Sequence, residues 1–261
     1  MCVASRKRLQ VTFLGVGESC DEDSPNTSLL VHKGDQASGS LLLDCGFTVP
    51  PAFFARVDDP ESLEAVWISH FHGDHFFGLP LLLLRLRDMG RRHSLPIVSQ
   101  EGAAQVVGAA LELAYPGVRE SLGYELRFVV LEPGASATLC GVKWSTALND
   151  HSQKDLALRL DNGASALFYS GDGRPTEATL DLARGCDLVV HEAYAVDGAT
   201  PGHSSVQEGL DFARKAGAGR LALVHVQRGV RRSQAARIEE ILQQAGDLRV
   251  VLPRPGESIS I

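Results

Sequence analysis

No run of ~18 apolar residues occurs in the 261-residue chain, so no segment is long enough to cross a bilayer as a helix. Ser5-Arg6-Lys7-Arg8 leads into a strand-like segment and not into the apolar core of a signal peptide, so the expected location is the cytoplasm. Cysteine is sparse. Cys2, Cys20, Cys45, Cys140 and Cys186 are odd in number and scattered, which argues against a disulfide framework or a thiolate zinc cluster and fits reduced thiols. Positive charge is also short. Lys and Arg number 25 against 32 Asp and Glu, and the formal net charge of −7 argues against a general nucleic-acid coat, though not against a locally positive cleft. No repeat shows at short period and nothing compels a second domain, so residues 1–261 are expected to form one.

What the chain does contain is concentrated in Ser69-His70-Phe71-His72-Gly73-Asp74-His75, where His70, His72, Asp74 and His75 are all potential metal ligands. Ala65-Val66-Trp67-Ile68 before it reads as a short buried strand, and Leu79 to Leu84 after it as an apolar helix. The cluster is therefore expected on a strand-to-helix loop at a sheet edge, where an open coordination position is accessible. In H-x-H-x-D-H, alternate residues can point to one ion and the last pair to another. That spacing points to two metals, which need further ligands from elsewhere.

The motif resembles that of the metallo-β-lactamase superfamily, whose members hold one or two ions at the edge of an αββα sandwich. The resemblance implies an α/β fold class, with two mixed β-sheets flanked by helices. Leu9 to Leu14 reads as a first strand stopping at Gly15-Val16-Gly17. These glycines are read as a turn and not as a nucleotide fingerprint, because Cys20 stands where a third glycine belongs. Asn26 to His32 and Ser40 to Asp44 read as a hairpin around Lys33-Gly34-Asp35. In the superfamily the Asp44-Cys45-Gly46 element lies under the metal loop, which implies that Asp44 orients a histidine; a solvated strand-end aspartate is the alternative. Arg85, Arg87, Arg91, Arg92 and His93 gather around the helix stop at Gly90, where they either meet a substrate's phosphates or complement the helix dipole.

Further strands are expected at Leu95 to Ser99, Leu126 to Leu131, Thr138 to Trp144, Leu156 to Leu160 and Ala166 to Ser170, with a helix over Glu101 to Leu113 and the first half of the sandwich ending near Tyr115. His151 falls between two of these strands. Asp172 falls between Gly171 and Gly173 in a strand-to-helix loop, with Pro175 placed for the first helical turn. Asp187 to Ala193 reads as a buried strand and His203-Ser204-Ser205 as the start of a helix running to Ala216. Leu221 to His225 reads as another strand, Gln234 to Ala245 as an amphipathic helix and Val250 to Ile261 as a closing strand.

The resemblance assigns His70, His72 and His151 to one ion, Asp74, His75 and His225 to the other, and Asp172 as the bridge. Two divalent ions lower the pKa of a shared water towards neutrality and clamp the oxygens of a displaced phosphoryl group, so the expected activity is hydrolysis through a bridging hydroxide. Imidazole and carboxylate ligands without cysteine suit zinc first, with manganese or iron as alternatives. Asp74 is expected to double as the group that orients or deprotonates the nucleophile.

Ser170 to Pro175, Asp187 to Ala193 and His203-Ser204-Ser205 look most like ribonuclease Z and its phosphodiesterase relatives. That likeness implies that His203 donates the leaving-group proton and that Glu192 orients it, with His191 and His32 structural. Tyr194 departs from the threonine usual after H-E-A, and Ser204-Ser205 departs from serine-threonine. Ribonuclease Z also carries a long exosite arm between the positions of His151 and Asp172, but here they stand 21 positions apart, enough for two strands and a turn. The chain therefore resembles the armless side of the branch, which acts on small phosphodiesters such as cyclic nucleotides. Arg174, Arg228 or Arg231 would help to hold one phosphate. The alternatives are cleavage of transfer RNA at its 3′ end, which would make RNA a partner, and carboxyl or thioester hydrolysis. The family likeness also implies a homodimer.

Overall fold

The computed structural model describes residues 7–34, 39–198, 200–246 and 248–261; Cys2, Ser5, Arg6 and Asp35 lie outside the described residues. The first half runs β1 (Gln10–Gly15), β2 (Ser28–His32), β3 (Ser40–Leu43), α1 (Val49–Phe54), β4 (Leu63–Trp67), α2 (Gly73–Phe76), α3 (Leu79–Asp88), β5 (Leu95–Ser99), α4 (Ala103–Ala114), a 3-10 turn at Val118–Ser121 and β6 (Leu126–Val130). The second half runs β7 (Ser136–Leu139), β8 (Val142–Leu148), β9 (Leu156–Asp161), β10 (Ala166–Tyr169), α5 (Glu177–Ala183), β11 (Leu188–Glu192), α6 (Val206–Ala216), β12 (Arg220–Val224), α7 (Arg228–Ser233), α8 (Ala235–Gln243), β13 (Arg249–Val251) and β14 (Ser258–Ser260).

These strands form two seven-stranded sheets, ordered β14-β1-β2-β3-β4-β5-β6 and β13-β12-β11-β10-β9-β8-β7. Both are mixed. In the first sheet the pairings from β14 to β3 are antiparallel and those from β3 to β6 parallel. In the second, β13 to β10 are parallel and β10 to β7 antiparallel. Parallel pairing needs a crossover, and the helices that make it cover the outer sheet faces.

Alternation along the strands separates three apolar layers. Between the sheets, Val11, Phe13, Leu43, Leu158 and Val190 are buried with Trp67 and Trp144, whose rings stand 6.3 Å apart at 49°. Outside the first sheet, Phe53 of α1, Leu82 and Leu86 of α3 and Val107 of α4 pack together. Outside the second, Leu210 and Phe212 of α6 meet Ile238 and Ile241 of α8. Each such side chain contributes about 1.5–3 kcal/mol when fully buried, so the order helix, sheet, sheet, helix is held by hydrophobic burial on every face. The architecture is the αββα sandwich.

Some boundaries differ from the sequence reading. Thr138 to Trp144 is not one strand. Cys140 (φ 52°) and Gly141 (φ 75°) form a two-residue turn that returns β8 beside β7, with Leu139 opposite Val142. Val250 to Ile261 splits as well, because Pro253 and Pro255 carry no amide hydrogen and interrupt any ladder. Its front part, β13, pairs with β12, whereas β14 pairs with β1 in the other sheet. Pro175 precedes α5, whose cap is Thr176, and the first sheet continues past Tyr115 to β6. The short helices α1 and α7 carry too little periodicity to be read in advance.

Candidate metal centre

The H-x-H-x-D-H stretch leaves β4 and enters α2, which places Asp74 and His75 on a single helical turn and His70 and His72 ahead of it. The other sheet supplies His151 after β8, Asp172 after β10 and His225 after β12. His70, His72, His151 and Asp172 each offer one ligand atom, all within 4.8 Å of one another, and Asp74, His75, Asp172 and His225 do the same. In the first group His72 Nδ1 lies 2.9 Å from His70 Nε2 and 3.1 Å from His151 Nε2. In the second, Asp172 Oδ2 lies 3.4 Å from both His75 Nε2 and His225 Nε2, and Asp74 Oδ2 lies 3.4 and 3.3 Å from the same atoms. Asp172 is shared by the two groups.

The histidines are held from behind. His75 Nδ1 donates to Asp44 Oδ2 at 2.8 Å, and the same carboxylate accepts from the Ser69 hydroxyl, the Tyr169 hydroxyl and the Ser69 amide. Asp44 is fully buried, so its solvated alternative falls away. His70 Nδ1 lies 2.9 Å from Asp155 Oδ1, and His151 Nδ1 donates to the Gly202 carbonyl at 2.6 Å. Such partners fix the tautomer and leave Nε2 free to coordinate. Asp155 was not anticipated from the sequence, nor was Asn149, whose amide donates to Asp155, Ser170 O and Asp172 O.

Backbone strain marks the same place. Asp44 and His225 both have φ of 58°, a left-handed conformation rare for side-chain-bearing residues, and the His225 amide is anchored to Val16 O at 2.8 Å. Gly171 (φ 65°) must be glycine, because a Cβ there would sit 2.6 Å from Asp155 Oδ1 and 2.9 Å from Ser69 Cβ.

Charge states follow from burial and neighbours. Burial, then the nearby His75 charge, pushes the His70 imidazole down to about 3, and burial with His70 nearby pushes His72 down to about 4. Burial alone would lower His225, but Asp172 and Asp74 raise it to about 9. Burial likewise opposes ionisation of Asp172, yet the charges on His225 and His75 hold its carboxyl well below the usual range. Burial pushes Asp155 up, only partly offset by the Asn149 hydrogen bond.

Beside the candidate ligands, Glu192 is fully buried and fully committed. Its Oε1 accepts from His203 Nδ1 at 3.1 Å and from the Gly173 and Ser204 amides, and its Oε2 accepts from the Tyr194 amide. His203 lies against His225 with ring centroids 5.9 Å apart at 14°. Burial would lower its pKa, but the Glu192 bond raises it above its ordinary value.

Residues 9–246 match the family model described as Anti-Pycsar protein Apyc1. The chain belongs to this Apyc1 family. It is also 30% identical to ribonuclease BN of Escherichia coli O157:H7, over 84% of this chain and 89% of that protein. Among solved structures, the metallo-β-lactamase fold protein YhfI from Bacillus subtilis superposes with a TM-score of 0.80, at 22% identity, covering 97% of this chain and 100% of that one. The short form of human tRNase Z, ELAC1, gives 0.76 at 21%, covering 97% and 99%. A diphosphatase of the PhnP family gives 0.72 at 17%, covering 97% and 98%. This Apyc1-family chain thus has the metallo-β-lactamase fold and is related to ribonuclease BN over most of its length.

The residues of the Apyc1-family site fit divalent cations. Asp172 Oδ1 and His75 Nε2 are buried without a hydrogen-bond partner, and both belong to the ligand groups. A buried orphan of this kind costs about 1–3 kcal/mol, which a cation between these atoms would remove. The expected phosphate-binding arginines are committed elsewhere. Arg228 pairs with Glu18 at 2.5 Å and Arg231 with Asp21, while Arg174 pairs with Glu208 at 2.5 Å. Arg91 is buried and spends its donors on the carbonyls of Pro60, Leu63, His93 and Ser94, so the cations near Gly90 include one that is purely structural. His191 is buried between Phe168 and Phe212, and His32 sits at the end of β2; neither joins the ligand groups. No helix among the described residues is long and apolar enough to cross a membrane.

Proposed function

We propose that this chain, as a single domain over residues 1–261, hydrolyses a small phosphodiester such as a cyclic nucleotide. The observation that carries the reading lies between His151 and Asp172. There the chain makes only β9, β10 and a tight turn in which the Asn162 side chain accepts from the Ala164 and Ser165 amides. No arm is available at that point to grip a folded RNA away from the cleft. The paired arginines support the same conclusion, because a second or third substrate phosphate would find Arg174, Arg228 and Arg231 already neutralised.

His70, His72, His151 and Asp172 would hold one ion and Asp74, His75, His225 and Asp172 the other, zinc suiting these donors first. Such ions supply charge neutralisation at the phosphoryl oxygens and water acidified towards neutral pH. The chain's own residues do the rest. Burial opposes ionisation of Asp74, but hydrogen bonds from His225 and His75 keep it a carboxylate, able to orient the attacking water. His203, protonated and aimed by Glu192, gives its proton to the departing oxygen. Two copies of the chain are taken to form a dimer.

RNA cleavage is the second reading, favoured by the ribonuclease BN likeness. Turnover of cyclic nucleotides, dinucleotides and precursor transfer RNA, with metal content measured on the same sample, separates the two. Measurable hydrolysis of a cyclic or short diester, with modest salt dependence, supports the proposal. Cleavage of precursor transfer RNA with a kcat/KM orders of magnitude above every small diester would replace it.

A further inference from the structure

Tyr194 stands two residues beyond β11, and the structure gives it links to both Glu192 and His203. Its amide donates to Glu192 Oε2 at 3.1 Å, so it helps to fix the carboxylate that holds His203. Its ring lies flat on the His203 imidazole, with centroids 4.6 Å apart at 23°. The Tyr194 carbonyl accepts from the Gln227 amide at 3.1 Å, which ties the residue to the segment between His225 and α7.

His203 needs this second restraint. A hydrogen bond from Nδ1 to Glu192 Oε1 fixes one ring atom and leaves the imidazole free to swing about that bond. His151 meets its ring edge-on, at 5.1 Å and 76°, and His225 lies parallel but farther away, at 5.9 Å. The Tyr194 face is the nearest of the three rings, and an offset aromatic stack holds orientation as well as distance. An aliphatic side chain at this position has no ring and cannot supply it.

We infer that Tyr194 is a positioning residue: its ring, stacked on His203, holds the imidazole in the plane from which it protonates the leaving group. The inference rests on the proposed general-acid role of His203. The ring carries the effect and the hydroxyl does not, since among the described residues the hydroxyl makes no hydrogen bond.

The test compares Tyr194→Leu, Tyr194→Phe, His203→Ala and the His203→Ala/Tyr194→Leu double variant. The probes are a cyclic nucleotide, whose leaving group is a poor alkoxide, and bis(p-nitrophenyl) phosphate, whose leaving group is activated. Tyr194→Leu is expected to lower kcat on the cyclic nucleotide about threefold to tenfold, the scale of one aromatic pair, with KM and metal content retained. Its rate on the aryl diester should hold, Tyr194→Phe should restore most of the loss, and the leucine change should have no further effect in the His203→Ala background. Equal losses on both substrates, or full additivity in the double variant, would overturn the positioning role. If His203→Ala itself shows no dependence on the leaving group, the general-acid reading fails and this inference fails with it. If His203→Ala shows that dependence and Tyr194→Leu does not, the inference alone fails.

Discussion

Asp155→Ala tests how much the site depends on a residue that is not a ligand. Asp155 is fully buried and lies 2.9 Å from His70 Nδ1. Removing a partner of a coordinating histidine typically costs 10–100-fold in metal affinity. The structure narrows that range. Asn149 would keep two acceptors, Ser170 O and Asp172 O, and the Asp172 amide would lose only a long 3.4 Å bond to Asp155 Oδ1, so the loss falls mainly on His70. Ser69 Oγ lies 3.0 Å from His70 Nδ1 and already donates to Asp44, which leaves a lone pair free to take over part of the role. The expected loss is therefore about tenfold, or about 1.4 kcal/mol, at the ion held by His70, His72 and His151. Competition with a chelator, titrating zinc into metal-free wild type and variant, resolves the two sites. The weaker binding should be confined to one ion. Wild-type affinity at both sites, or an equal loss at both, would refute the argument that Asp155 acts through His70.

Asp172→Ala should lower metal content from about two ions per chain, because one carboxylate serves both ligand groups; elemental analysis showing full occupancy would mean that the bridge is another residue. His203→Ala should keep its metals and lose roughly 10²–10⁴-fold in turnover on diesters with a poor leaving group, with a far smaller loss on an activated aryl ester. Glu18 supplies a pH test. Burial would raise its carboxyl, but the Cys20 amide and Arg228 outweigh that and hold it below its ordinary 4.5. A depressed carboxyl stabilises the fold above that ordinary value and loses the contribution as pH falls through its lowered one. The melting-temperature gap between chelator-treated wild type and Glu18→Gln should therefore be widest near neutrality and close below pH 4.5; a gap that widens on acidification would contradict the assignment.

The residues of the ligand groups were legible because metal chemistry restricts residue type and because strand ends place them. His70, His72, Asp74 and His75 stand in one short motif, while His151 falls between two runs that read as strands, Asp172 follows another in a strand-to-helix loop, and His225 directly ends a third. The supporting residues carry no such signature. Asp155 and Asn149 are single polar residues in a loop, and Tyr169 ends a buried strand where any aromatic would read alike. The arginines misled for a related reason: Arg228 and Arg231 are joined to Glu18 and Asp21 across more than 200 positions, a pairing no local pattern encodes. The turn at Cys140 escaped because cysteine does not signal a left-handed conformation, whereas the division of the last strand was legible in Pro253 and Pro255 and only the change of partner sheet was not.

That division has a consequence for how the molecule is made. β1 is among the earliest strands to be synthesised, and β14, its outer neighbour, is among the last. A nascent chain can therefore pair β1 with β2 long before residues 258–260 emerge, and during that interval the far edge of β1 offers unpaired amides and carbonyls to any strand nearby. The edge includes Val11 and Phe13, both buried in the finished sandwich. A chain that stops before residue 258 would make that interval permanent, and the product to expect is an aggregate seeded along β1, formed from chains in which every candidate metal ligand is still present.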